Sequence, residues 1–194
     1  MLTKSTHGLK DVAEGLLRPL NQTELKLALA DLQEAGGSEP SVAAMLKTEG
    51  PLRDFIAAVL TLSPYLREIV NLDPAILAGA ITQPLEPQIE ALVAEARRCW
   101  QPDGEGAAPA ESVVMSRLRI IKRKVAFLVA LADLARIFDG RATTAWLSEL
   151  AEASVAAAID HLLLSAHEGG KLRLRDVAAP SDGSGLIVLG MGKL

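Results

Sequence analysis

The chain has 194 residues, enough for one large or two small domains, and its 49% hydrophobic and 23% charged content suits a globular protein with a real core. Aromatic residues make up only 3% while Ala and Leu abound, which favours helices over sheets. The net charge of −4 disfavours nucleic acid as a partner, and the single cysteine, Cys99, excludes a disulfide framework and fits a reducing compartment.

Nothing in the first residues has the apolar core of a signal peptide. The longest clean apolar run, Val125 to Ala132, is far short of the roughly 20 residues that span a bilayer. A cytoplasmic protein without a membrane partner is expected. His7, His161 and His167 are not spaced with Cys or carboxylates as metal ligands, so no metal site is expected, and His161 is expected to pack at a helix edge.

Residues 1–21 show no persistent period and read as a loosely ordered lead-in. A helical domain over 22–170 follows. Thr23 is placed to cap Glu24–Glu34, which ends at Gly36 and Gly37. Ser41–Lys47 is a short helix between Pro40 and Gly50, and Pro51 suits the first turn of Leu52–Leu62. Ser63-Pro64 starts a helix with Tyr65, Leu66, Ile69 and Val70 on its apolar side. Asp73-Pro74 repeats the cap-plus-proline device before Ala75–Ile81. Pro87 opens Gln88–Trp100, where Ile89, Leu92, Val93, Ala96 and Trp100 recur at helical spacing.

Gln101–Ala110 is a Gly/Pro/Ala connector. Beyond it, Glu111–Phe138 carries an apolar stripe from Val114 to Ala135 and a second through Phe127, Leu131, Leu134 and Phe138. Its C-terminal half is therefore apolar on most sides and belongs in a core. Asp139-Gly140-Arg141 is expected to end it, and Thr143 or Thr144 to cap the next helix, which runs to about His167 and closes at Gly169 and Gly170. The two helices have complementary charge, with Arg123 expected opposite Asp160 and Arg136 near Leu147 to Glu149.

Lys171–Ser184 is a second linker, rich at its end in turn formers. Gly185–Leu194 then reads as a buried strand, Leu186 to Leu189, running into Gly190-x-Gly192-Lys193. A lone strand leaves its backbone hydrogen bonds unmet, so more polypeptide is expected beyond it. Strand-then-glycine turns bring backbone N–H groups close to phosphate. A Walker loop fails here, because Ile187 and Leu194 stand where it needs Gly and Ser or Thr. A dinucleotide fingerprint, with a third glycine further on, stays open. So does a helical interaction module that docks a partner.

Leu-Ile-Val-Leu-Gly-Met-Gly-Lys-Leu, residues 186–194, resembles the opening motif of the nucleotidyltransferase domain in bifunctional glutamine synthetase adenylyltransferase/adenylyl-removing enzymes. Ser63-Pro64-Tyr65-Leu66 with Asp73-Pro74, the basic helix from Leu118 to Leu134, and Leu147–Ala151 resemble that family's helical region in order and spacing. The resemblance implies a mainly α, bundle-like domain followed by the first strand of a polymerase-β-like nucleotidyltransferase domain, α+β in the full protein. It also implies an N-terminal fragment of the adenylyl-removing half. The full enzyme transfers AMP from ATP to a tyrosine of glutamine synthetase and removes it by phosphorolysis.

From the same resemblance, Gly190, Gly192 and Lys193 are the nucleotide-binding candidates. ATP and Mg²⁺ belong to the full enzyme. The metal-binding aspartates would follow the glycine turn, so the fragment itself holds no metal or cofactor, has no catalytic residue and is expected to be inactive. Glutamine synthetase is the implied partner, with a nitrogen-signalling PII protein as a further one.

Other charged and aromatic residues have plainer readings. Arg117, Arg119, Lys122, Arg123 and Lys124 suit a solvated or salt-bridged face better than a phosphate site. Asp133 suits a structural pair with Arg136 or a cap contact, and Trp100 and Trp146 suit core or rim anchors.

Overall fold

The computed structural model describes residues 8–12, 17, 18, 21–102 and 108–190. The lead-in over 1–21 and the connector over 101–110 thus fall partly outside the described residues, as do Gly192 and Lys193. In chain order the helices are α1 (Leu9–Val12), α2 (Gln22–Gly36), α3 (Pro40–Lys47), α4 (Pro51–Leu62), α5 (Pro64–Leu72), α6 (Pro74–Thr82), α7 (Leu85–Arg98), α8 (Glu111–Leu134) and α9 (Gly140–Glu168). The fold is mainly α, and no strand is formed among the described residues. Two compact units divide the chain: residues 1–89 with 126–143, and 90–125 with 144–194.

In the first unit, proline stands in the first turn of α3, α4, α5 and α6. Its fixed φ suits a helical first turn, and its missing N–H costs nothing there. Ser63 caps α5 by accepting from Leu66 N at 3.3 Å, while Asp73 precedes α6 without a side-chain cap bond. The break at Ser63 bends α4 against α5 by 109°. α4 packs against α2 and α5, and Phe55 to Leu60 is buried residue by residue. Burial of six consecutive residues makes α4 a core helix of this unit. On α5, Leu66, Ile69 and Val70 face inward as expected, whereas Tyr65 is half exposed.

Two caps differ from the sequence expectation. Asn21, not Thr23, caps α2: its Oδ1 accepts from Glu24 N at 2.9 Å, so the helix starts earlier. Asp139, not Thr143 or Thr144, caps α9, accepting from Ala142 N at 2.7 Å. A carboxylate suits a helix N-terminus better than a hydroxyl because it also opposes the helix dipole. Gly140 therefore begins α9 rather than ending α8, and Thr143 Oγ1 donates to Asp133 Oδ1 at 3.0 Å. Asp133, expected to pair with Arg136 or to make a cap contact, is thus met by the Thr143 hydroxyl.

α8 ends earlier than expected, in a Schellman turn with Arg136 at the left-handed position, φ 57°. Arg136 N donates to Asp133 O at 2.9 Å and Ile137 N to Ala132 O at 2.8 Å. Nearby, Gln88 Nε2 donates to the carbonyls of Gly79, Gln83 and Pro84 at 3.0–3.3 Å, satisfying the C-terminal end of α6. A Cβ on Gly79 would meet Gln88 Oε1 at 2.8 Å, so a side chain there would displace the end of Gln88.

The second unit is built around Cys99, Trp100, Val114, Ala157 and Leu164, with Leu118 and Leu174 packed against them. Trp100 is the core anchor expected of it. His161, expected at a helix edge, is 5% exposed instead, because its position on α9 faces inward. Its Nδ1 and the Trp146 Nε1 have no hydrogen-bond partner among the described residues. α9 closes with Gly170 at φ 70° and Lys171 N donating to Ala166 O at 2.9 Å, the glycine stop that the sequence predicts.

Candidate functional site

The segment that leads to the glycine turn is fastened to α9 in steps. After Gly170, Leu174 N donates to His167 Nδ1 at 3.3 Å, while the Leu174 side chain packs against the Trp100 cluster. Asp176 Oδ1 accepts from Ala178 N at 2.8 Å in an Asx turn. Asp160 Oδ1 on α9 then accepts from Ser181 N at 3.0 Å, and Pro180 is buried beside it in sequence. Asp182 N donates to Ala179 O at 3.0 Å and Ser184 N to Ser181 O at 3.2 Å. Gly183 and Gly185, at φ 68° and 76°, take left-handed conformations that a side chain would resist. The stretch over 171–184, a linker by composition, is a strap fastened to α9 through His167 and Asp160.

Ser184 Oγ accepts from Leu186 N at 3.2 Å, and Leu186–Leu189 continues without a ladder partner. The strand expected there is not formed among the described residues, since a strand exists only as half of a hydrogen-bonded pair. Its four apolar side chains are 59–83% exposed. Val188, Leu189 and Gly190 nonetheless border a groove of about 640 Å³ whose other wall is α9, through Ser148, Ala151, Glu152, Val155, Ala156 and Ile159. Gly190 thus sits beside α9, whereas Gly192 and Lys193 lie outside the described residues.

The basic residues of α8 do not line this groove. Arg117 instead donates to the Cys99 carbonyl at 3.1 Å, satisfying the end of α7. Arg119 and Lys122 are exposed. Glu149, expected near Arg136, pairs with Arg97 of α7, and Asp160, expected opposite Arg123, is used by Ser181. Burial raises the Cys99 thiol above its ordinary value, with Arg117 drawing it back in part. The strap contacts from His167 and Asp160 escape sequence reading, because the partners are backbone N–H groups with no residue-type signature.

No cluster of three or more His, Cys, Asp or Glu among the described residues could hold a metal ion. No step through a metal is derived for this chain. Among the described residues, no single helix is long and apolar enough to cross a membrane.

A family model described as glutamate-ammonia ligase adenylyltransferase matches residues 54–194. The chain is 61% identical over 186 residues to the bifunctional glutamine synthetase adenylyltransferase/adenylyl-removing enzyme of Agrobacterium fabrum, covering 96% of this chain and 19% of that protein. The enzyme of the same name from Rhizobium meliloti is 47% identical, over 96% of this chain and 19% of its own length. That of Mesorhizobium japonicum is 42% identical, over 92% and 18%. The chain spans about a fifth of the length of these curated relatives. No solved structure matches. With the matched region running through the helices and the terminal glycine segment alike, the chain belongs to the glutamate-ammonia ligase adenylyltransferase family.

Proposed function

We propose that these residues are the N-terminal part of the adenylyl-removing half of a bifunctional enzyme. That enzyme attaches AMP from ATP to a tyrosine of glutamine synthetase and removes it by phosphorolysis in the cytoplasm. The observation that carries this reading is an order: a helical domain over 22–170, a strap over 171–184, then Leu186–Leu189 and Gly190-x-Gly192-Lys193, with everything from residue 54 onward inside the matched family region. In this reading Gly190 and Gly192 let the backbone approach nucleotide phosphates, and Lys193 contributes positive charge there. The helical domain holds that turn and offers surface to glutamine synthetase, with a nitrogen-signalling PII protein as a second partner.

Transfer of an adenylyl group builds charge on phosphate oxygens, which Mg²⁺ would neutralise when bound by acids outside these residues. The 194-residue chain alone is then inactive. The test assays AMP attachment to glutamine synthetase, and phosphate-dependent release of AMP from it, with the chain and with the longer protein of relatives' length. The expected result is release by the longer protein and none by the chain. Metal-dependent turnover by the isolated chain, or a longer protein that only attaches AMP through this region, overturns it.

A further inference from the structure

The first half of α8 carries a set of cations with no acid on its own helix to meet them. From Ser112 to Ala132 the helix has no Asp or Glu, while Arg119, Lys122 and Arg123 fall within five residues. Like charges three and four residues apart repel across a helix face, so this placement costs helix stability. Arg117 is held by the Cys99 carbonyl, and Lys124 also has a partner. Arg119 and Lys122 are exposed and Arg123 is half-buried, and none of the three has an ion pair or hydrogen bond among the described residues. On α9, Glu149 is taken by Arg97 and Asp160 by Ser181.

The same face exposes large apolar side chains. Met115, Arg119 and Arg123 follow at four-residue steps, with Lys122 on one flank and Val113 and Ile120 on the other. Val113, Met115 and Ile120 are 40–43% exposed. Arg and Met at the centre of an exposed patch are what protein interfaces concentrate. A helix that lies on a membrane puts its apolar stripe in the middle and its cations on the polar side. Here the arginine row runs between apolar flanks, the reverse order. The net charge of −4 sets the chain against nucleic acid.

We propose that the α8 face from Val113 to Arg123 docks a protein surface that presents carboxylates between apolar side chains, and that the occupant is glutamine synthetase. Carboxylates accept from the guanidinium forks of Arg119 and Arg123, and apolar atoms cover Met115 and Ile120. These are positioning residues, which orient the partner without meeting the reacting atoms. The curated relatives are named for their action on glutamine synthetase, so the choice of occupant rests on the function proposed above.

The test uses the longer protein of relatives' length and measures its Kd for adenylylated glutamine synthetase at low and high salt, together with KM and kcat for AMP release. The double variant Arg119→Glu/Arg123→Glu should weaken binding and raise KM at least tenfold at low salt, remove most of the salt dependence, and leave kcat within twofold. Arg119→Lys/Arg123→Lys should restore most of the affinity, and Met115→Ser should weaken it about threefold. Unchanged Kd in the charge-reversed variant, or no binding by the wild type, overturns the docking face. So does binding to anionic phosphatidylglycerol vesicles or duplex DNA that the same variant abolishes while its Kd for glutamine synthetase holds. Arginine-dependent binding by a longer protein that transfers no AMP overturns the enzyme assignment and leaves the docking face standing.

Discussion

The Asp160 carboxylate accepts the Ser181 backbone N–H at 3.0 Å, joining α9 to the strap that ends at the glycine turn. The bond is partly open to solvent, so Asp160→Ala should cost about 1 kcal/mol locally, at the modest end for a charge-assisted hydrogen bond. Exchange of the Ser181–Gly185 amides should then quicken roughly fivefold while α8 is unaffected. Unchanged strap exchange would show that Gly183, Gly185 and Pro180 hold it without Asp160.

Arg136 occupies a left-handed position, φ 57°, at the C′ site of α8, where glycine carries no side-chain penalty. Arg136→Gly is expected to raise the urea midpoint by the equivalent of about 0.5 kcal/mol, part of the relief being offset by greater freedom of the unfolded chain. A lower midpoint would mean that the Arg136 side chain contributes more than its backbone costs.

The two candidate caps of α2 separate cleanly. Asn21 Oδ1 meets Glu24 N at 2.9 Å, so Asn21→Ala should destabilise by about 1 kcal/mol. Thr23→Ala, inside the helix, should stay within about 0.5 kcal/mol of wild type. Thermal melts of both variants decide it, and a reversed order would reinstate Thr23.

Phe55 is fully buried in a helix with no solvent face over six residues. Phe55→Ala should destabilise the first unit by about 3–5 kcal/mol, much of a domain's margin. Leu72→Ala, at a side chain 60% exposed, should cost under about 1 kcal/mol. Denaturant titration followed by circular dichroism measures both.

Cys99 is 4% exposed and burial raises its thiol above its ordinary value of 9.0. The folded state then holds that proton more tightly than the unfolded state. Its contribution to stability is full below pH 9.0 and declines as pH climbs through the raised folded value. Alkylation by iodoacetamide at pH 8 should await unfolding, and denaturant should speed it by orders of magnitude. Fast labelling of the native chain would contradict the burial.

The helices were legible because their signals are local. Proline at four first turns, Ser63 before Leu66 and the Gly170 stop all act within a few residues, through φ angles and hydrogen bonds that sequence neighbours provide. The inward C-terminal half of α8 was equally plain, since Phe127, Leu128 and Leu131 leave few polar positions to face water. The family motif at 186–194 was also readable as a string of residue types.

Composition and order alone thus determined a mainly helical chain, most of its helix starts and its family. Tertiary structure decided which of two nearby polar side chains caps a helix, that His161 turns inward, and that Glu149 meets Arg97 and Asp160 meets Ser181. It also decided that Val188 and Leu189 border a groove on α9, with no ladder formed among the described residues. The physical reason is distance along the chain. A helix satisfies its backbone from residues four apart, whereas a strand, an ion pair or a strap contact depends on partners that only the folded chain brings near.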